Sequence, residues 1–449
     1  MEFIGGDPGR KVMAYFLVAI IIGGIVLSLP ICHGNRSVNP LDAFFTATSA
    51  VCVTGLAVVD TGSAFSPFGQ IVILTLIQLG GLGIMTFATV LVVMAGSRLA
   101  FRDRLGVMSS FGAGAPIRVE SLLGAVMLVT FVIEGIGALV LFLLFAQSFP
   151  PDQAAWYAVF HSVSAFCNAG FSTFTTSLEG YAANTPVVLT IALLIILGGL
   201  GFTVLVELFQ RAAGHSQRLS LHTRICLSST GVLLLLGFVV FFLAEYGNSL
   251  GRGNLAFKTV NAFFQSVVCR TAGFNTIPQG NLTEVSVLMT MFLMFVGGCP
   301  GSTAGGIKTT TFTIIVLTAW SRFRGHRRPS AFHRTISQES ILRAVSIFIL
   351  ATFIIASVAA FMTLAWDRPP LRAGMTHGWL AEGLFEVVSA FGTVGLSMGI
   401  TPLLSPMAKI IIIATMFIGR VGLLTLAFGL AKPPLRGDLR YAEEPVTVG

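Results

Sequence analysis

The chain has 449 residues, of which 54% are apolar and 10% charged, with a formal net charge of +8 and a mean hydropathy of +0.87. These values lie far outside soluble norms and describe an integral membrane protein with no room for a soluble domain of useful size. The basic balance does not call for nucleic acid, because Lys and Arg gather in short links between apolar runs, and the six Cys imply no disulfide framework.

Apolar runs predict eight spans near 11–29, 69–96, 120–147, 185–209, 223–246, 284–319, 340–365 and 405–430. The first follows Arg10 and Lys11 like a signal peptide but lacks a convincing cleavage site, so it reads as a retained span. Between the two spans of each pair lies a semi-polar segment in which a Phe is followed ten residues later by a Gly. These pairs are Phe45/Gly55, Phe160/Gly170, Phe263/Gly273 and Phe385/Gly395. Successive glycines are 115, 103 and 122 residues apart, the mark of four copies of one unit. The units run 1–97, 98–211, 212–335 and 336–431, followed by a tail, 432–449. Each semi-polar segment predicts a helix, at 40–51, 153–165, 256–267 and 378–390. At about 18 Å such helices are too short to cross and suit re-entrant half-helices.

Charge sets the orientation. Eighteen Lys and Arg fall in the N-terminus, the links 98–118, 211–224 and 322–343, and the tail; six fall on the opposite side, and Arg270, Lys308 and Arg420 at membrane depth. The bias predicts cytoplasmic termini, with the half-helices entering from outside.

Backbone that leaves a helix at membrane depth must be buried or line a hydrated path. The strings after the half-helices contribute Val53, Thr54 and Gly55; Asn168, Ala169 and Gly170; Thr271, Ala272 and Gly273; and Thr393, Val394 and Gly395. Four glycine-bearing strands can turn backbone carbonyls toward one axis and replace the hydration shell of a potassium ion. Each half-helix would aim the negative end of its dipole at the cation. Cys52, Cys167 and Cys269 lie near these glycines, but no CxxC or His-Cys spacing supports a metal site.

The sixth apolar run would be about 54 Å long as one helix and is expected to break. Between Gly297 and Gly306 stand five Gly and one Pro: Gly297, Gly298, Pro300, Gly301, Gly305 and Gly306. The string GSTAGGIKT resembles a phosphate loop, but Ile307 separates Gly306 from Lys308 and breaks that pattern. Lys308 and Arg420 are costly charges at this depth. Two roles are open to each: a barrier or tether in the path, or a structural partner for helix-end carbonyls or a carboxylate. Arg270 is expected to hold the backbone of the third glycine strand. Glu134 is the acid best placed for burial, as a coupling-ion ligand or a structural partner.

Together these motifs resemble the Trk/Ktr/HKT superfamily of potassium transport proteins, and its KtrB-type membrane subunits most closely. The resemblance rests on the four glycine segments, PGSTAGGIKTTTF and the arginine of GRVG, and covers nearly the whole chain. One departure is Leu423, where many relatives carry Pro. The resemblance implies an all-α membrane protein with four helix/pore-helix/helix repeats around one pore and a broken helix in the third. It implies potassium uptake in the cell inner (plasma) membrane, often sodium-dependent, with potassium and a second candidate, sodium, at the filter carbonyls. It implies a gate at 297–308 with Lys308 and Arg420, a homodimer, contact with membrane lipid, and a cytosolic ring of RCK subunits through which ATP or ADP acts. A glycine at all four filter positions resembles the potassium-selective pattern. An alternating-access transporter and the ion-binding subunit of a potassium-pumping ATPase are the competing plans. An enzyme finds no support, since no HExxH, GxSxG or His/Asp cluster lies in the spans.

Overall fold

The computed structural model describes residues 8–83, 119–212, 214, 219–251, 253–326, 328–365 and 377–422. Four times the chain runs through a long or apolar helix, a short helix and a second apolar helix. The first unit has α1 (Pro8–Leu27), α2 (Pro40–Val51) and α3 (Pro67–Leu82). The second has α4 (Val119–Phe145), α5 (Pro151–Phe166), α6 (Thr185–Gly199) and α7 (Phe202–Ala212). The third has α8 (Leu221–Glu245), α9 (Leu255–Val268), α10 (Glu284–Phe295) and α11 (Thr309–Phe323); the fourth has α12 (Gln338–Ala365), α13 (Trp379–Gly392) and α14 (Pro406–Val421). A small hairpin, β1 (Ser330–Ala331) with β2 (Arg334–Thr335), sits in the 322–343 link.

Local chemistry fixes the helix starts. Asn39 and Asn254 cap α2 and α9, and Pro40 and Pro151 occupy first-turn positions where a missing N–H costs nothing. Ser66, Asn184, Thr283 and Ser405 cap α3, α6, α10 and α14 through side-chain oxygens. Three helices, α4, α8 and α12, contain stretches long and apolar enough to cross a membrane. Their outward faces carry exposed apolar side chains such as Leu128, Leu243 and Phe353, as a lipid-facing surface requires.

The second helices are shorter than hydropathy suggests. They have 16, 15, 12 and 16 residues, so each reaches only about 18–24 Å. The predicted continuous span at 185–209 is corrected: α6 and α7 are bent by 102° at Leu200–Gly201, where Gly201 has φ +91°. Helices α3 and α14 stop at Gly83 and Gly422, with φ of 74° and 85°. The remainder of the predicted spans 69–96 and 405–430, the basic link 98–118, Leu423 and the tail lie outside the described residues. The break expected in the sixth run falls between Phe295 and Thr309.

A second correction concerns the third unit. Phe45, Phe160 and Phe385 are fully buried, and so is Phe264, whereas Phe263 is only partly buried. The third buried Phe thus precedes its glycine by nine residues. One residue is missing between the Phe anchor and the glycine in this unit, and its helix end is built differently, as described below.

Small residues let the second helices approach the short ones. A Cβ on Gly198 would strike the carbonyl group of Phe166, whose carbon would lie 2.9 Å away. Gly80 and Gly419 meet the carbonyls of Val51 and Phe391 in the same way. Gly231 on α8 has nothing within 4 Å. Gly198→Ala is therefore expected to destabilise the fold by about 1–3 kcal/mol through overpacking, lowering the detergent-solubilised melting temperature by several degrees. Gly231→Ala should leave it unchanged or slightly raised. Equal melting of both variants in size-exclusion thermostability assays would contradict the packing described.

Candidate functional site

Helices α2, α5, α9 and α13 converge with their C-terminal ends on Gly55, Gly170, Gly273 and Gly395. In three units the helix closes with the same pair of bonds. The amides of Val53 and Thr54 donate to Ala50 and Ser49. Those of Asn168 and Ala169 donate to Ala165 and Ser164, and those of Thr393 and Val394 to Ala390 and Ser389. This is a Schellman closure, which requires a left-handed residue after the helix. Val53, Asn168 and Thr393 accordingly have φ of 56°, 58° and 49°. For β-branched Val53 and Thr393 that conformation is strained, and strain of this kind collects at functional sites. The third unit uses a looser closure, Ala272 to Val268, but Thr271 still has φ of 64°.

Two residues later each glycine again has positive φ: 90°, 70°, 72° and 93°. The four glycines form a closed ring. A Cβ on Gly170 would lie 2.7 Å from Gly273 Cα and 2.8 Å from the Ala272 carbonyl oxygen; one on Gly273 would lie 2.6 Å from the Val394 oxygen. One on Gly395 would meet the Thr54 oxygen, and one on Gly55 the Ala169 oxygen. So each glycine abuts the carbonyl that precedes the next unit's glycine, and the fourth returns to the first. Ser49 and Ser389 accept the amides of Gly55 and Gly395 at 3.0 and 3.1 Å, holding two of the strands from behind.

On the side of the residues after the glycines opens a cavity of about 320 Å³ lined by all four of them. Asp60 is the one carboxylate in its lining. It is held by Ser63 Oγ at 2.6 Å and Thr175 Oγ1 at 3.1 Å.

On the other side lies the 297–308 loop, tied to every unit around it. Cys299 and Thr303 amides donate to Gly199 and Gly198 of the second unit, and Gly301 accepts from the Phe202 amide. Thr303 Oγ1 sits 3.1 Å from the Phe166 carbonyl, Asn168 Oδ1 and the Gly198 carbonyl. A Cβ on Gly305 would press on Thr393 and the Gly392 carbonyl of the fourth unit. Arg420 donates from its two terminal nitrogens to the carbonyls of Thr303 and Gly80, joining loop, first unit and fourth unit. Lys308 turns inward and donates to Ala304 at 2.6 Å. Arg270 does not hold the glycine strand: its guanidinium donates to the Gly297 carbonyl at 3.1 Å, at the root of the loop. Glu134 is buried against Gln78 Nε2 at 3.2 Å and Cys167 Sγ at 3.7 Å.

A further fourfold pattern went unread in the sequence. At or just after the ends of the second helices stand GGLG at 80–83, GGLG at 198–201, GGCP at 297–300 and GRVG at 419–422. Arg420 therefore stands where three units carry a glycine, at Gly81, Gly199 and Gly298. Aligning the second helices as well as the short ones would have exposed it.

The family model described as TrkH, a cation transport protein, matches residues 10–434. The chain belongs to this family. It is 38% identical over 451 residues to the Ktr system potassium uptake protein B of Bacillus subtilis, covering 100% of this chain and 98% of that protein. It is 37% identical to the potassium/sodium uptake protein NtpJ of Enterococcus hirae, over 99% and 97% of the two chains. The crystal structure of the potassium transporter TrkH from Vibrio parahaemolyticus superposes with a TM-score of 0.74, at 19% identity, over 95% of this chain and 85% of that one. The fold is therefore that of a membrane transport protein and not of an enzyme, in keeping with the Ktr-type resemblance read from the motifs.

Since Arg420 is the cross-tie between loop and first unit, Arg420→Gln is expected to loosen the loop. Peptide mapping after reaction with a membrane-permeant maleimide should show Cys299, buried and free, labelled at least tenfold faster than in the parent. An unchanged rate would mean that the loop is held by its other bonds alone.

Proposed function

We propose that this chain is the potassium-translocating subunit of a Ktr-type uptake system, selecting its ion at the four-glycine ring and gated by the 297–308 loop. The observation that carries the reading is the closed ring itself, in which left-handed backbone at positions two residues apart brings the carbonyls of Thr54, Ala169, Ala272 and Val394 beside the neighbouring glycines. Carbonyls so placed repel one another unless a cation lies among them, and their oxygens can stand in for lost hydration. Four polar atoms at this level, Thr54 Oγ1, Asn168 Nδ2, Thr271 Oγ1 and Thr393 Oγ1, are buried without a protein partner. Buried polar atoms of that kind are met by water or ions. Asp60 at the mouth adds an attraction for cations.

The loop and Arg420 obstruct the path below the ring, sterically and by charge, and Lys308 adds to that charge while folding the loop on itself. The names of the relatives extend the reading to potassium, with sodium as a coupled or stimulating ion. A homodimer and a cytosolic RCK ring responding to ATP or ADP complete the proposal. The ring docks on the inter-unit links, and the termini face the cytoplasm of the inner (plasma) membrane. An alternating-access mechanism is less well served, because the four glycines meet at one level rather than forming a site between two halves.

The test is potassium, rubidium and sodium uptake into proteoliposomes under an imposed gradient, with and without external sodium. Potassium-selective flux that rises with sodium is expected. Gly273→Ser should lower the potassium-to-sodium ratio at least tenfold, because its Cβ would enter the Val394 carbonyl and φ of 72° is strained for Ser. A variant that folds and keeps the parental ratio would remove the ring from selectivity.

A further inference from the structure

Behind the ring lies a second layer of polar groups with its own fourfold order. The residue after each buried Phe is polar and buried: Thr46, His161, Gln265 and Glu386, none more than 2% exposed. Three of them reach the segment that follows the glycine of their own unit. His161 Nε2 meets Ser172 Oγ at 3.0 Å, two residues after Gly170. Gln265 pairs with Gln279, six residues after Gly273, with a bond of 2.7 Å. Glu386 accepts from Thr401 Oγ1, six residues after Gly395, and Thr401 in turn lies 2.9 Å from Ser397 Oγ, two residues after Gly395. Thr46 bonds only within its own helix, to Asp42. The second unit thus uses the position two residues after its glycine, the third the position six after, and the fourth uses both and places a carboxylate behind them.

That carboxylate is incompletely satisfied. Glu386 is fully buried, and its Oε2 has no hydrogen-bond partner. Glu382, one turn earlier on α13 and 5% exposed, also keeps an unpartnered oxygen. Among the described residues neither has a Lys or Arg within ion-pair distance. An anionic carboxylate so buried is costly unless a positive charge lies near. Ser397 and Thr401 both line the cavity above the glycine ring. A hydroxyl has one hydrogen and two lone pairs. With the Thr401 hydrogen committed to Glu386, the Ser397 hydrogen to Thr401 or Glu386, and the Gly399 amide donating to Ser397 Oγ at 3.0 Å, each hydroxyl oxygen still keeps at least one lone pair for the cavity.

We infer that the fourth-unit wall of this cavity is an outer site for a monovalent alkali cation, formed by the Ser397 and Thr401 hydroxyl oxygens, with Glu386 as the positioning residue that orients them and supplies the charge. The site lies outside the glycine ring and rests on the cation-transport reading. It concentrates the ion before selection, so it sets apparent affinity and leaves selectivity to the ring.

The test is potassium uptake by Glu386→Gln and by the Ser397→Ala/Thr401→Ala pair, with potassium-dependent thermal stabilisation of the purified proteins, measured against choline chloride at equal ionic strength. Gln is a conservative choice because Gln265 already occupies the matching position in the third unit. Both variants are expected to raise the KM for potassium about tenfold, to keep the maximal rate within twofold, and to leave the potassium-to-sodium ratio at its parental value. The potassium concentration for half-maximal stabilisation should rise by a similar factor. An unchanged KM and unchanged stabilisation in the folded Glu386→Gln protein, or a fall in maximal rate alone, would overturn the site. Should the parent protein carry no potassium flux, the transport reading fails while the stabilisation assay still decides whether Glu386 supports cation binding. Should Gly273→Ser keep its selectivity, the ring loses its role and the outer site stands on its own KM result.

Discussion

Everything in this molecule follows from the cost of ending a helix inside a membrane. A backbone carbonyl with no partner there loses several kcal/mol relative to water. The short helices answer that cost in two stages. The Schellman closures take up the carbonyls of Ser49 and Ala50, Ser164 and Ala165, and Ser389 and Ala390. The carbonyls after the closure, at Thr54, Ala169, Ala272 and Val394, are turned instead toward the neighbouring strand. Gly is needed at the next position because both the backbone angle and the space exclude a Cβ. An arrangement in which four strands each press an oxygen toward the next is poorly stable alone and well suited to a bound cation.

The units share this frame but have diverged in the segments beneath the ring. Three of the four units carry a glycine pair at or just after the end of the second helix, at 80–81, 198–199 and 297–298, and the fourth has Gly419 followed by Arg420. In the third unit Pro300 and the glycines that follow replace helix by loop. The two departures meet, since Arg420 bonds the Thr303 carbonyl at the loop's centre. Symmetry builds the ring, and the breaking of symmetry in two units builds what lies beneath it.

How much of this was legible depended on whether a residue's constraint was local. The four glycines, the short helices before them and the glycine-rich loop could be read, because positive φ, half-membrane length and helix-breaking composition are properties of the residues themselves. The breaks at Gly83 and Gly201 were missed because LGGLG stays apolar, and a hydropathy count cannot tell a helix from an apolar turn. The equal Phe-to-Gly spacing picks out Phe263 in the third unit, whereas the residue buried there is Phe264, because that unit is one residue shorter between its buried Phe and its glycine. Arg270 lies beside the third strand in sequence, yet its side chain extends away to Gly297, a contact that only tertiary packing decides. His161, Gln265 and Glu386 lie in segments legible only as semi-polar, and their burial shows them to be a polar layer shut away from water.

Arg420 ties the 297–308 loop to the units around it. Among the described residues its partners are two backbone carbonyls, of Thr303 and Gly80. Those oxygens belong to the same chemical class as the ones proposed to bind the permeant ion, so on that proposal the guanidinium is a fixed cation at the inner end of the path. A hydrogen bond to a charged group contributes about 1.5–3 kcal/mol. Releasing two of them thus costs a few kcal/mol, enough to hold a loop in place. Differential binding by a partner protein can supply free energy of that size. Of the loop's other bonds, those from Cys299 and Thr303 to Gly199 and Gly198 join neutral groups and are individually weaker, while Arg270 adds one charged bond to Gly297 at the loop's root. On the proposed reading, the loop is therefore held most firmly at the point where it also carries the greatest electrostatic barrier, so that one displacement removes both.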